Sequence, residues 1–133
     1  MTTKKKLSTV KKRVWVLFSR YIRLKNANHN GMVECVTCGE LMHWKESQAG
    51  HFIGGRTNSV LFDERLVHVQ CRMCNIWLQG NYVAYTLYML TQYSREEIEE
   101  FIALKHTIVK YSVADLLAME EGLKIKLKIH EDK

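Results

Sequence analysis

The chain has 133 residues, 47% of them hydrophobic, and 20 Lys and Arg against 14 Asp and Glu, for a net charge of +6. That is enough for one domain with a modest core, and no apolar run reaches the roughly 18 residues of a membrane span. The charged N-terminus lacks an apolar stretch followed by a small-residue cleavage site, so no signal peptide is expected and the expected location is cytoplasmic.

The charge is uneven. Lys4, Lys5, Lys6, Lys11, Lys12, Arg13, Arg20, Arg23 and Lys25 all precede the first acid, Glu34. Residues 1–7 read as a flexible basic tip. From Ser8, a plausible N-cap, Val10, Val14, Leu17, Phe18, Tyr21 and Ile22 recur at spacings of three and four, which predicts a helix ending near 26–31. Its basic face is expected to grip DNA phosphates without regard to sequence; a solvated helix face is the alternative. Trp15, Phe18, Tyr21 and Ile22 are read as core.

Met32 to Cys35 and Glu40 to Trp44 read as two short strands around the turn Cys35-Val36-Thr37-Cys38-Gly39, with Gly39 suited to a tight knuckle. Residues 49–53 are another strand, and Gly54-Gly55 opens a polar loop expected to be mobile. Val60 to Phe62 and Leu66 to Val69 read as β-type runs. A helix starts at Arg72 or Met73, bends near Gly80 and continues through Tyr82, Tyr85, Tyr88 and Leu90. Ser94 with Glu97 forms a capping box, Ser112 with Asp115 a similar start, and each opens a further helix. The absence of proline suits a helix-rich chain. The expected divisions are a basic tip and helix over 1–31, a metal-stapled core over 32–92 and a helical region over 93–133, all one compact domain.

All four cysteines fall in two Cys-x-x-Cys pairs, Cys35/Cys38 and Cys71/Cys74. Without export signals this pattern points to a metal rather than to disulfides. Four thiolates close a tetrahedral zinc shell, so the ion is expected to be structural. A thiol redox pair and unbonded core cysteines are the competing readings.

Between the pairs sits His51, at a strand end before a glycine loop, where a neutral imidazole can take a proton from water. Arg56, just beyond the glycines, is a candidate phosphate clamp. Asn75 offers an amide oxygen to a hard cation or caps its helix. His68 could ligate a catalytic ion, contact phosphate or support the cysteine knuckle. Asp63 and Glu64 are possible carboxylate ligands or solvated loop acids.

On these residues the chain resembles the zinc-containing HNH, or His-Me finger, nucleases and more closely the phage lambda NinG family, also called Rap, of recombination endonucleases. The matching segments are Phe18 to Leu24, Cys35 to Gly39, Gln48 to Phe52, Phe62 to Glu64, His68 to Cys71, Cys74-Asn75 and Gly80-Asn81. The resemblance implies an α+β fold with a small ββα-metal core, flanked by a basic N-terminal helix and C-terminal helices. It implies a metal-dependent endonuclease of branched DNA, such as Holliday junctions and D-loops, in a bacterial host cytoplasm. His51 would then be the general base, with Mg²⁺ or Mn²⁺ held by Asn75 and completed by His68 or Asp63. Two incisions call for two sites, hence a homodimer, with the C-terminal helices as its expected interface. Two positions depart from the pattern: Gly50 stands where an acidic metal ligand is usual, and Leu66 where an asparagine is common. They keep open a non-catalytic zinc module that binds DNA or a recombination partner.

Overall fold

The computed structural model describes the backbone of residues 3–133, with side chains described from Lys6 onward; Lys4 and Lys5 lie outside the described side chains. The elements are α1 (Thr3–Lys25), β1 (Met32–Glu34), β2 (Leu41–His43), a 3-10 turn (Trp44–Glu46), β3 (Gln48–His51), α2 (Asn58–Leu61), β4 (Val67–Gln70), a π-helical turn (Met73–Trp77), α3 (Tyr82–Gln92), α4 (Arg95–Leu104) and α5 (Val113–Lys128). The chain is thus mixed α+β, with two small antiparallel sheets, β1–β2 and β3–β4.

Two expectations about local structure are corrected. Residues 3–7 belong to α1, so the expected basic tip is helical there and Ser8 lies inside the helix. With no glycine or proline in this stretch, nothing breaks the helix before the buried face begins. Val60 and Leu61 are on α2, not a strand, and both are buried. Their apolar run is too short to separate a strand from one helical turn.

Helix α1 buries Val10, Val14, Phe18 and Ile22, a stripe spaced by four. That stripe packs on Ala49 and Val67 of the β3–β4 hairpin and on Leu116 and Leu123 of α5. The α5 helix runs in the same direction as α1: Arg13 faces Glu120, Tyr21 faces His130, and Lys133 reaches the Leu24 carbonyl. A second cluster lies under the other side of the hairpin, where Phe52, Val60 and Leu66 meet Tyr85 and Met89 of α3 and Ile98 and Phe101 of α4. Both capping boxes form, Ser94 with Glu97 and Ser112 with Asp115.

The hairpin is therefore the middle layer. In its register Gln48 pairs with Gln70, Gly50 with His68 and His51 with Val67. Alternation puts Ala49, His51 and Val67 toward α1, and Gln48, Gly50, His68 and Gln70 away from it.

Candidate functional site

The cysteines converge. The knuckle after β1 carries Cys35 and Cys38; Cys71 directly follows β4, and Cys74 sits in the π-helical turn. Their four sulfur atoms lie within 4.8 Å of one another, with Cys38 and Cys71 Sγ 3.6 Å apart. A tetrahedral zinc with sulfur at about 2.3 Å sets its sulfurs near that spacing, far beyond a disulfide's ~2.05 Å. Donors already face the sulfurs: the Cys74 N–H reaches Cys71 Sγ at 3.4 Å and Asn81 Nδ2 reaches Cys74 Sγ at 3.5 Å. Burial alone would raise the Cys35 thiol, but hydrogen bonds from Thr37 and from nearby backbone N–H groups outweigh it and bring it down to about 6. Burial pushes Cys71 up, so a bound cation is what would draw its proton off. The donor set, spacing and partial thiolate character all fit a closed, structural metal site.

The β3–β4 hairpin holds His51 at its end, half-buried. Its ring stacks on Trp15 of α1, centroids 5.1 Å apart and planes at 20°. Nε2 lies 3.1 Å from the Leu61 carbonyl oxygen. A carbonyl only accepts, so Nε2 carries the hydrogen and Nδ1 keeps the lone pair. Burial lowers the pKa of His51; the Leu61 carbonyl opposes this and the Arg56 cation adds to it. The imidazole is therefore neutral near pH 7.

Arg56 follows Gly55, and both have positive φ, 51° and 92°. A non-glycine residue there is uncommon, and the turn aims the guanidinium over the Trp15 ring, 4.4 Å from its centroid. A groove of about 480 Å³ is lined by Ser8, Lys11, Lys12, Trp15, Val16, Arg56 and Leu61. Two of its walls, Trp15 and Leu61, are the residues that hold His51.

The remaining expected site residues are not gathered there. Asn75 does reach the strand of His51, but at its far end, where Nδ2 donates to Gln48 Oε1 at 2.7 Å. His68 lies on the α3 side, with Nε2 2.9 Å from the Arg65 carbonyl and its ring edge-on to Tyr88; burial lowers its pKa. Asp63 has both oxygens on Arg65, at 2.9 and 2.6 Å. Among the described residues, the four cysteines are the one group of His, Cys, Asp and Glu close enough to hold an ion.

The basic helix divides. Lys6, Lys12 and Arg20 are exposed. Arg13 is paired with Glu120 at 2.8 Å, Lys25 lies over Tyr21, and Lys11 donates to Asn58 Oδ1. Arg23 is half-buried and donates to the carbonyls of Ser19, Trp44 and Ser47.

Comparison with known proteins settles the family. The profile of the bacteriophage lambda NinG protein matches residues 1–132. The chain belongs to the NinG family. "Protein ninG" of Escherichia phage 933W is 32% identical over 98 residues, covering 71% of this chain and 46% of that protein. "Protein ninG" of Escherichia phage lambda and of Salmonella phage P22 are each 30% identical over the same length and shares. The chain spans about half the length of these relatives. No solved structure matches it. Among the described residues, no helix is long and apolar enough to cross a membrane.

Two residues of this NinG-family chain escaped sequence reasoning. Gln70 is fully buried, and its Nε2 donates to the Gly80 carbonyl at 2.9 Å and to Thr37 Oγ1 at 3.1 Å. It ties the first cysteine knuckle to the bend before α3. It also explains Gly50, because a Cβ there would sit 1.8 Å from Gln70 Oε1. The space beside Gly50 is filled by the Gln70 side chain. Asn58 is the second: besides accepting from Lys11 it donates to the Val109 carbonyl, and its own carbonyl accepts from Tyr111. It joins α1 and the segment before α5 to the loop carrying Arg56. A lone polar residue in a polar loop gave no signal of this. At Leu66 the reason for the departure is packing: it is fully buried in the second core cluster.

Proposed function

We propose that this NinG-family chain is an endonuclease that hydrolyses phosphodiester bonds in branched DNA, with His51 as general base. The observation that carries the reading is His51 itself: a neutral imidazole, its Nε2–H held by the Leu61 carbonyl and its ring by Trp15, beside a groove bearing Lys11, Lys12 and Arg56. The order hairpin then helix, with His51 on the hairpin and a four-cysteine centre at its other end, supports a ββα core of the His-Me finger type.

In this mechanism Arg56, Lys11 and Lys12 hold a backbone phosphate at the groove. The His51 Nδ1 lone pair takes a proton from water, and the oxygen attacks phosphorus opposite the 3′ oxygen, which leaves and is protonated by solvent. The four-cysteine zinc does no chemistry; it fixes the first knuckle to the start of the π-helical turn. Mg²⁺ usually takes one or two protein groups together with substrate phosphates, and an Mg²⁺ or Mn²⁺ requirement is part of the proposal. Asn75, His68 and Asp63 are the protein groups that would contribute to holding such an ion, together with the substrate phosphate. Cutting both strands of a junction needs two copies of the site, so we include a homodimer in the proposal, to be checked by sedimentation. Cleavage of a labelled Holliday junction in Mg²⁺ or Mn²⁺, with His51→Ala in parallel, tests the reading. A non-catalytic zinc module would bind the junction and leave it whole.

A further inference from the structure

We infer that α1 is straddled by double-stranded DNA: one backbone lies in the His51 groove, and the second lies in a separate trough between α1 and α5. This rests on reading the His51 groove as a DNA site, and it adds a second phosphate subsite and a preference for duplex.

The trough, about 410 Å³, is lined by Arg20, Leu24, Trp44, Lys124, Leu127, Lys128 and Glu131. Three cations face one acid, over a floor of Leu24, Trp44 and Leu127. Lys124 lies 3.4 Å from Glu121 in an exposed pair of the kind that contributes little and is easily exchanged for a phosphate. Arg23 and Lys45 sit against the Trp44 ring, 5.5 and 5.9 Å from its centroid, which adds positive field beside the trough.

The two grooves lie on opposite flanks of α1. At 100° per residue, Ser8, Lys11, Lys12 and Trp15 face one flank and Arg20 and Leu24 the other. Between them runs an exposed edge of Lys12, Val16 and Arg20, spaced by four. Helix α1 thus presents a ridge with one cationic hollow beside residues 8–16 and another, on the opposite flank, beside residues 20–24. A helix of about 10–12 Å diameter matches a DNA major groove of about 12 Å, whose walls are two phosphate backbones. A single strand fills only one hollow.

The α5 lysines provide the test. Binding of a fluorescent duplex and of a single strand of the same length is measured by anisotropy, without divalent cation, over a range of salt. The proteins are the wild-type chain, Lys124→Gln/Lys128→Gln, and a charge-matched control, Arg72→Gln/Arg95→Gln. Thermal melting confirms that each is folded. The expected result is that the α5 variant loses roughly tenfold or more of duplex affinity. The slope of log K against log salt should fall by about 1.8, two contacts at ~0.9 each. Single-strand affinity should stay within about twofold of the control's. Equal duplex affinity and slope for the α5 variant and the control would overturn the inference, as would equal wild-type affinity for duplex and single strand. Cleavage is measured separately, so a chain that binds duplex in this way but cuts nothing overturns the nuclease reading and leaves this one standing.

Discussion

The Nε2 atom of His51 lies 3.1 Å from the carbonyl oxygen of Leu61, the last residue of α2. One contact fixes the tautomer and the ring direction, and burial keeps the ring neutral. In the proposed role as general base His51 must be unprotonated, and its lowered pKa moves the acid limb of a rate profile below the ordinary 6.5. The midpoint of the acid limb should therefore lie below pH 6.5. A pH–rate profile at saturating DNA checks this; an acid limb at or above 6.5 contradicts the buried, neutral imidazole.

The same burial has a stability consequence. His51 and His68 both have folded-state pKa values below the ordinary 6.5, so in acid the unfolded chain binds more protons. Their contribution is fully present above pH 6.5 and is lost as pH falls from 6.5 through the lowered folded values. Urea midpoints measured from pH 8 to 5 should decline below 6.5, and His68→Asn should flatten part of that decline. An identical decline in the variant contradicts the assignment of His68.

Gly50 and Gln70 are coupled by space. Gly50→Ala places a methyl 1.8 Å from Gln70 Oε1, an overpacking cost of about 1–3 kcal/mol. Gln70→Ala leaves the Gly80 carbonyl without its buried donor, also about 1–3 kcal/mol. Together they should cost clearly less than the sum, since the second change makes room for the first. Denaturant titration of the four proteins in the cycle reads the coupling; strict additivity contradicts it.

The cysteine centre should bind one zinc per chain. Chelation, or Cys71→Ser, should lower the melting temperature and abolish stoichiometric zinc, because the ion joins the first knuckle to the start of the π-helical turn. Atomic absorption with thermal melting checks this. Four thiols that react freely in the native, metal-free protein at an unchanged melting temperature contradict it.

Much of this was legible in the sequence for physical reasons. The stripe Val10, Val14, Phe18 and Ile22 has one helical period and buries as such. The two capping boxes are local, so their chemistry is complete within four residues. The paired Cys-x-x-Cys spacing carries its own geometry. What was hidden depends on distant partners. Gly50 reads as a departure until Gln70, twenty residues on, is seen to fill its place. Arg23 looks like the exposed Arg20 until the Trp44 and Ser47 carbonyls close over it. The C-terminal helices, expected to serve a dimer, include α5, whose alignment along α1 no local pattern announces.

The central claim is that His51 makes this chain a nuclease. It is tested most directly by incubating the purified protein with labelled Holliday junction and linear duplex in Mg²⁺ or Mn²⁺, beside His51→Ala. The account predicts divalent-dependent incision of the junction, reduced about 10²–10⁴-fold in the variant, with junction affinity unchanged. Tight binding without incision in either ion, or incision that survives His51→Ala, would contradict it.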